Sequence, residues 1–227
     1  MVFFSLEYNS LYINYEYNES KENDRYKSTF RRDLYNMIYD HPNMNRSDVS
    51  QLILAINTLG ENLVGLELGV GRGESFITIL NNCNIKKLYG VDSWMPYVDW
   101  IKSHPDGKPH DSVTMEQQEI QRFLTYHSIK HSKHRHKAEI IEKDTLEAAK
   151  QIPDESLDFV FFDVSMTAEK CYEDVKAYYP KMKKGGLWTG HDSFAKEQII
   201  KPIEKVKKEY NNNNEIVCFN RCFLFRV

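Results

Sequence analysis

The residues best suited to bind a ligand form a glycine loop after a short apolar segment. The stretch Glu67-Leu-Gly-Val-Gly-Arg-Gly73 places three glycines at alternate positions between a predicted strand and a predicted helix. Glycines there let the backbone turn tightly and approach a ligand closely, because they carry no Cβ atom. Asp92 follows the second predicted strand, 21 positions after Gly71. A carboxylate at that place can accept hydrogen bonds from both hydroxyls of a ribose.

The charge beside the loop separates two classes of cofactor. Dinucleotide binding uses the spacing G-x-G-x-x-G, and the third glycine would fall where this chain has Glu74. Glu67 ends the strand beside the loop, where a carboxylate would repel a pyrophosphate and attract a cation. S-adenosylmethionine carries a sulfonium and an ammonium group and no phosphate. The sequence therefore favours S-adenosylmethionine over a nicotinamide cofactor. A glycine turn without a ligand is the remaining interpretation.

Three further polar residues follow the fourth and fifth predicted strands. Asp163 ends the fourth strand, and His191 and Asp192 follow the fifth. In a parallel sheet these strand ends share one edge, so the three side chains are expected to converge there. Two carboxylates and an imidazole suit a hard divalent cation such as Mg²⁺, which would lower the pKa of a bound substrate hydroxyl. A metal-free site with His191 as general base is the second interpretation. In the third interpretation, His191 is a structural histidine and Asp192 caps the helix that follows.

The elements that must position these residues alternate after Gly60. Strands are predicted at Leu63–Leu68, Lys87–Val91, Glu139–Glu142, Leu157–Phe162, Gly186–Thr189, Ile216–Asn220 and Cys222–Val227. Helices are predicted at Glu74–Asn82, Ser112–His127, Thr145–Gln151, Thr167–Tyr179 and Phe194–Tyr210. This alternation predicts an α/β fold, a Rossmann-like, doubly wound, mostly parallel seven-stranded sheet. The last two strands predict an antiparallel hairpin at its edge.

An N-terminal region precedes this alternation of strands and helices, and one long irregular segment interrupts it. Residues 1–60 are expected to form an N-terminal arm and helical extension, and residues 61–227 the cofactor-binding domain. Thr29–Tyr39 is predicted to be helical, and Ser47 is predicted to cap a second helix that Gly60 closes. The long irregular segment 95–111 follows Asp92 and is interpreted as a lid or substrate loop.

Composition excludes several classes of protein. The chain has 227 residues, with 30 basic and 33 acidic residues and a net charge of −3. This balance gives no general attraction to nucleic acid, so a nucleic-acid partner is not expected. No apolar run approaches the roughly 18 residues of a membrane span, and the start of the chain lacks the basic segment of a secretory signal. A cytoplasmic location is predicted, and the sequence is compatible with a homo-oligomer. The cysteines are predicted to be reduced thiols: Cys83, Cys171, Cys218 and Cys222.

The motifs ELGVGRGES and LYGVDSW resemble those of the class I S-adenosylmethionine-dependent methyltransferases, and the likeness spans roughly residues 60–195. It implies that the glycine loop contacts the amino acid end of the cofactor and that Asp92 binds its ribose. It also implies that Asp144 bonds the adenine amino group, although capping of the next helix is an equally good interpretation. The implied cofactor-binding residues are Glu67, Gly69, Gly71, Gly73, Ser75, Asp92, Ser93, Trp94, Asp144, Thr145 and Asp163.

The second half of the domain resembles a narrower group, the macrocin-type and methyltransferase 24 enzymes that methylate hydroxyls of sugars and glycosides. GVDSW, the acid after strand four, an acid later in the following helix and GG…GHD carry this likeness. It implies an O-methyltransferase acting on a sugar, a glycan or another small molecule. Asp163 and His191 would be catalytic, and Asp163, His191 and Asp192 would hold Mg²⁺ where the enzyme uses one. Many relatives read D-G-D-H or D-G-D-M after strand four, where this chain reads Asp163-Val-Ser-Met166.

Two other interpretations of the function remain open at this point. Methylation of RNA or protein is one, although the Asn/Asp-Pro-Pro-aromatic motif of many amine methyltransferases is absent after strand four. A binding module that holds the cofactor without transfer is another. The histidine-rich segment 127–137 is expected to be a solvated loop, with a zinc site or a polyanion patch as alternatives. Glu169 and Asp174, in the helix after strand four, are expected to be solvated.

Overall fold

A central sheet organises the part of the chain that the computed structural model describes, residues 49–96, 114–164 and 167–227. Its strands are β1 (Leu63–Leu68), β2 (Ile85–Asp92), β3 (Ala138–Glu142), β4 (Leu157–Phe162), β5 (Met182–Gly190), β6 (Val217–Phe219) and β7 (Cys222–Arg226). Their order is β3-β2-β1-β4-β5-β7-β6. The first five strands are parallel, β7 is antiparallel to β5, and β6 pairs antiparallel with β7. The predicted sheet with an antiparallel edge hairpin is confirmed.

Among the described helices, four connect the parallel strands, one precedes β1 and one follows β5. They are α1 (Ser50–Asn57), α2 (Glu74–Asn82), α3 (Met115–His131), α4 (Thr145–Ala149), α5 (Ala168–Tyr178) and α6 (Lys201–Glu209). Helix α3 continues past its predicted end at His127, because no glycine or proline interrupts it before Ser132. A π-helix, Lys196–Ile200, precedes α6. Pro202 opens α6 without an N–H, so the regular hydrogen-bond ladder cannot continue unchanged there.

The core lies on both faces of β1 and β4. These two strands sit in the middle of the sheet, and all but one residue of each is buried. Near-continuous apolar runs are typical of parallel strands covered by helices on both sides. Helix α1 belongs to one of the two core clusters, since Leu52 and Ile56 pack with Phe76 and Phe159. The described part of the N-terminal extension therefore supports the same sheet that carries the glycine loop.

Several predictions fall outside the described residues. These are the helix at Thr29–Tyr39, the cap at Ser47 and segment 95–111 beyond Pro96. The four cysteines are free thiols, as predicted. In residues 49–96, 114–164 and 167–227, no helix has the length and apolar character needed to cross a bilayer. Cellular location and oligomeric state stay predictions.

Asp174 is buried rather than solvated, which corrects the sequence-based expectation. Its side chain has no exposed surface, and it accepts a hydrogen bond from the Thr145 hydroxyl. The ammonium of Lys170 lies 3.2 Å from the same carboxylate. The Tyr178 hydroxyl donates to the carbonyl of Thr145 over 2.7 Å. Asp174 therefore ties α5 to the first residue of α4, a tertiary contact that no helical periodicity reveals. Glu169 is exposed, as expected.

Replacing Asp174 by alanine is expected to destabilise the protein by about 1.5–3 kcal/mol, the usual range for a hydrogen bond to a charged group. The loss arises because the Thr145 hydroxyl and the Lys170 ammonium would both lose their buried partner. Urea denaturation of the variant measures it. Glu173→Ala, one position away on the exposed face of α5, serves as the control and should change stability by less than about 0.5 kcal/mol. Equal effects of the two substitutions would contradict the buried network.

Candidate active site

The glycine loop between β1 and α2 needs glycine for both conformation and space. Gly69, Gly71 and Gly73 have φ angles of +81°, +54° and +83°, a region that other residues rarely adopt. A Cβ atom on Gly69 would lie 2.2 Å from the carbonyl oxygen of Asp163. The loop therefore packs directly on the backbone at the end of β4. This contact joins the predicted cofactor loop to the first residue of the predicted catalytic cluster.

Asp92 shapes the loop as well as ending β2. One oxygen of its carboxylate accepts a hydrogen bond from the Gly71 N–H, and the other accepts from the Trp94 N–H, both over 2.8 Å. Burial raises the pKa of Asp92 above its ordinary value, although these amides and those of Val70 and Ser93 act in the opposite direction. The sequence interpretation assigned Asp92 only to a ribose. The structure adds a role in holding the loop's backbone.

Trp94 closes the loop from the other side. The indole N–H donates to the carbonyl of Gly71 over 2.9 Å, and only 3% of the residue is exposed. Its φ of +45° is unusual for a bulky residue and marks the tight turn that follows β2. Ser93 beside it is exposed. Contact of either residue with adenosine stays a prediction.

Helix α3 supports the loop through a polar face that sequence reasoning missed. The Thr125 hydroxyl donates to the Gly71 carbonyl over 2.8 Å, and the side-chain amide of Gln118 donates to the Met95 carbonyl over 3.0 Å. The buried polar residues of this helix recur three and four positions apart, a spacing visible in the sequence: Gln118, Gln121, Thr125 and Ser128. Uncharged polar residues at that spacing could have indicated, from the sequence alone, a helix whose polar face packs on backbone carbonyls.

The other predicted cofactor residues divide into buried and exposed ones. Glu67 is fully buried, and the Ser75 hydroxyl donates to it over 2.6 Å, so strand β1 and helix α2 meet at this carboxylate. Asp144 is exposed and caps α4 by accepting from the Leu146 N–H over 2.9 Å. Thr145 is buried and bonded to Asp174. The capping interpretation of Asp144 is confirmed, and its contact with adenine stays a prediction.

Asp163, His191 and Asp192 come together at the carboxyl edge of the sheet. One ligand atom from each lies within 4.8 Å of the other two. Nδ1 of His191 is 3.0 Å from an Asp192 oxygen and 3.6 Å from an Asp163 oxygen. His191 is 6% exposed, against 20% for the side chain of Asp163 and 41% for that of Asp192. The expected convergence of the three side chains is confirmed. The His191 imidazole lies between the two carboxylates.

Backbone bonds at three strand ends set this geometry. The Asp163 N–H donates to the Leu68 carbonyl over 2.9 Å, and the His191 N–H donates to the Phe162 carbonyl over 3.0 Å. The cluster and the glycine loop are thereby fixed to the same edge of β1, β4 and β5. Asp192 has a φ of +58° just beyond β5. Its turn brings the carboxylate back toward the imidazole instead of into a cap on the following helix.

The electrostatics of Asp192 favour its ionised form. Burial alone would raise its pKa, but the hydrogen bond from His191 and the guanidinium of Arg221 together lower it below the ordinary value. Arg221 lies 3.2 Å from the same oxygen that faces His191. Asp192 therefore stays a carboxylate at neutral pH and can hold a proton on the adjoining imidazole nitrogen.

Two other regions do not join this site. Within the described ranges, the cluster at Asp163 is the one group of three side chains with metal-binding geometry, so the histidine-rich segment forms no such group. That segment was expected to be a loop, but it comprises the end of α3, which runs to His131, and a short 3₁₀ helix, Arg135–Lys137. A surface cavity of about 850 Å³ lies at the amino edge of the sheet, lined by Tyr179, Tyr210 and residues 211–214. Its position beyond the starts of β4 and β5 separates it from the cluster.

Comparison with known proteins decides the family. A family model described as a methyltransferase domain, methyltransferase 24, matches residues 66–193, which is more than half of the chain. The chain belongs to the methyltransferase 24 family. It is a class I S-adenosylmethionine-dependent methyltransferase, as the motifs ELGVGRGES and LYGVDSW indicated. Among curated proteins, no sequence matches it.

Solved structures share the fold of this methyltransferase at low sequence identity. A Corynebacterium glutamicum protein is 14% identical, with a TM-score of 0.54 and coverage of 97% of this chain and 95% of that one. An S-adenosylmethionine-dependent O-methyltransferase from Thermotoga maritima is 11% identical, with a TM-score of 0.54 and coverage of 84% of this chain and 68% of that one. A cofactor-bound protein from MTB is 10% identical, with a TM-score of 0.56 and coverage of 82% of both chains.

The residues of the loop fit the cofactor expected of this methyltransferase family. S-adenosylmethionine carries two cationic groups and a ribose, and the Glu67 and Asp92 carboxylates border the loop, in which Arg72 is the one basic residue of residues 67–75. The positive φ angles of the glycines give the turn a conformation that other residues rarely adopt, and the side chains of Asp92, Trp94 and Thr125 hold the Gly71 backbone in it. This donor set suits a cationic nucleoside better than a pyrophosphate, whose charge two carboxylates would repel.

Proposed function

We propose that this methyltransferase transfers a methyl group to a hydroxyl oxygen of a sugar, a glycan or another small molecule. The observation that supports the proposal is the close approach of Gly69 to the Asp163 backbone, because the cluster that contains the proposed base lies beside the glycine loop. A hydroxyl is a poor nucleophile until its proton is removed, so a base at the reacting atom is what O-methylation needs. When bound, S-adenosylmethionine supplies the electrophilic methyl group.

His191 is the proposed general base. A proton on Nδ1 would hydrogen-bond to Asp192, 3.0 Å away, and would leave Nε2 free of a proton. Nε2 would then accept the proton of the acceptor hydroxyl as the methyl group passes from the sulfonium sulfur, which would leave as a neutral thioether, to the hydroxyl oxygen. Asp192 would orient the imidazole and stabilise the imidazolium that forms, and Asp163 would add a second negative charge nearby. Positioning of the acceptor beside the loop would supply further rate enhancement.

A divalent cation is the second proposed occupant of the cluster. Two carboxylates and an imidazole form a donor set that Mg²⁺ and Mn²⁺ accept, with water completing the coordination. Such a cation would lower the pKa of a bound hydroxyl. Asp163, Asp192 and Nδ1 of His191 would hold it, since these are the atoms that face one another. The same nitrogen cannot carry a proton and bind a cation, so the cation-bound and proton-bound forms exclude each other.

An acceptor screen with radiolabelled S-adenosylmethionine tests the proposed reaction. We expect methyl transfer to at least one monosaccharide, glycoside or catechol, and none to the amines of nucleobases or of lysine and arginine peptides. We expect this because the cluster with the proposed general base lies beside the loop. The motif that is typical of amine methyltransferases is also absent from the sequence after β4. Transfer to amines with every hydroxyl acceptor inactive would refute O-methylation. Cofactor binding without any transfer would favour a non-catalytic binding module.

Chelation separates the two proposed forms of the cluster. If the cation takes part, exhaustive treatment with EDTA should abolish transfer, and added Mg²⁺ should restore it. Activity that survives chelation in the wild type would eliminate the cation and leave His191 as the base. Because the two forms share the same three side chains, substitution of those residues cannot distinguish them, whereas removal of the ion can.

A further inference from the structure

Arg221 adds a permanent positive charge to the candidate active site from a distant part of the chain. Its guanidinium lies 3.2 Å from Oδ1 of Asp192, the oxygen that is also 3.0 Å from Nδ1 of His191. The two residues of this ion pair are 29 positions apart. A single carboxylate oxygen therefore faces both the imidazole and a guanidinium.

The backbone holds Arg221 at this place. It occupies the turn between β6 and β7, where Asn220 has a φ of +52°. The Ser193 N–H donates to the Arg221 carbonyl over 3.0 Å, so the turn is tied to the segment that follows β5. The guanidinium also lies over the ring of Phe194, 5.1 Å from its centre. This second contact keeps the charge at the rim of the cluster even when Asp192 has another partner.

We propose that Arg221 is the internal counter-cation of the cluster and competes with a divalent cation for Asp192. The inference rests on the proposed use of Asp163, His191 and Asp192 as a cation site. A cation bound to the Asp192 oxygen nearest to His191 would share that oxygen with Arg221, and it would meet a like charge beside it. Without a cation, Arg221 neutralises Asp192 and leaves the imidazole its hydrogen-bond partner.

Competition predicts that removal of the guanidinium strengthens cation binding. Titration with Mn²⁺, followed by electron paramagnetic resonance of the free ion, measures the affinity without any acceptor or methyl transfer. Arg221→Gln should bind Mn²⁺ about tenfold more tightly than the wild type, which corresponds to about 1.4 kcal/mol. Arg221→Lys keeps the charge and should stay near the wild type. Because the Arg221 side chain is 59% exposed, the difference should shrink as salt is added.

A matched control is the arginine at the end of the strand that follows Arg221. Arg226 ends β7 and donates to the Gly185 carbonyl over 2.9 Å, near the opposite end of β5. Arg226→Gln removes an equal charge there and should leave Mn²⁺ affinity unchanged. Arg221→Met retains the aliphatic stem over Phe194 and provides a second uncharged variant if Arg221→Gln fails to fold. It should show the same tighter binding.

Unchanged or weaker Mn²⁺ binding in the uncharged Arg221 variants would overturn the competition. If, in the same Mn²⁺ titrations, Asp163→Asn abolished Mn²⁺ binding, the cluster would remain a cation site. Only the role of Arg221 would then be wrong. Mn²⁺ binding to neither the wild type nor the variants would overturn both the competition and the cation site. Calorimetry with S-adenosylhomocysteine on the same samples reports separately on cofactor binding, so a failed methyltransferase assignment would be recognised independently.

Discussion

Replacing His191 by alanine is expected to lower the rate of methyl transfer by about 10²–10⁴-fold, the usual contribution of a general base. His191 is the imidazole of the cluster, and Asp192 holds its Nδ1 at 3.0 Å, so the substitution removes the proposed proton acceptor. Binding of S-adenosylhomocysteine should change little, because the described contacts of the glycine loop do not involve this side chain. Single-turnover kinetics with the best acceptor from the screen measures the rate.

Two observations separate loss of a base from loss of structure. Added imidazole should restore part of the activity in His191→Ala, because the small ring can enter the space that the side chain leaves. His136→Ala provides the control, since this exposed histidine lies in the 3₁₀ helix before β3 and should be dispensable. Turnover within about twofold of the wild type in His191→Ala would eliminate His191 as the base.

Replacing Asp92 by alanine is expected to weaken cofactor binding by about 1–3 kcal/mol, or roughly 5–150-fold in affinity. The substitution would remove the proposed acceptor for the ribose hydroxyls. It would also free the Gly71 and Trp94 amides that the carboxylate now holds at 2.8 Å, so the loop would lose its shape as well. Calorimetry with S-adenosylhomocysteine measures the affinity.

Asp158→Ala is the control for that experiment. Asp158 also accepts a hydrogen bond from a strand backbone, the Val64 N–H at 2.8 Å, but it lies toward the amino edge of the sheet and pairs with Lys183. Its loss should lower thermal stability without changing cofactor affinity. Equal affinity losses in the two variants would mean that Asp92 acts only through global stability. Unchanged affinity in Asp92→Ala would refute its place in the cofactor site.

The order of elements and the location of the site could be predicted from the sequence. Strands β1 and β4 have their predicted bounds, because unbroken apolar runs between polar turns depend on local composition alone. The glycine loop and the acids at Asp92, Asp163 and Asp192 were also predictable, since residues that follow parallel strands must share one edge. Chain order and strand direction are sufficient for that inference, and neither requires knowledge of side-chain contacts.

Tertiary structure alone decided which partners these residues have. Thr125 reaches Gly71 across 54 positions, and Arg221 reaches Asp192 across 29, because α3 and the β6–β7 turn fold back onto the carboxyl edge. Asp174 is buried for the same reason, since α5 turns it toward Thr145. Asp174 and Arg221 are residue types of ordinary solvated helices and turns, and only α3 carried a signal, in the spacing of its uncharged polar residues. Their roles arise from distances between elements that are far apart in the chain, and local sequence carries no record of those distances.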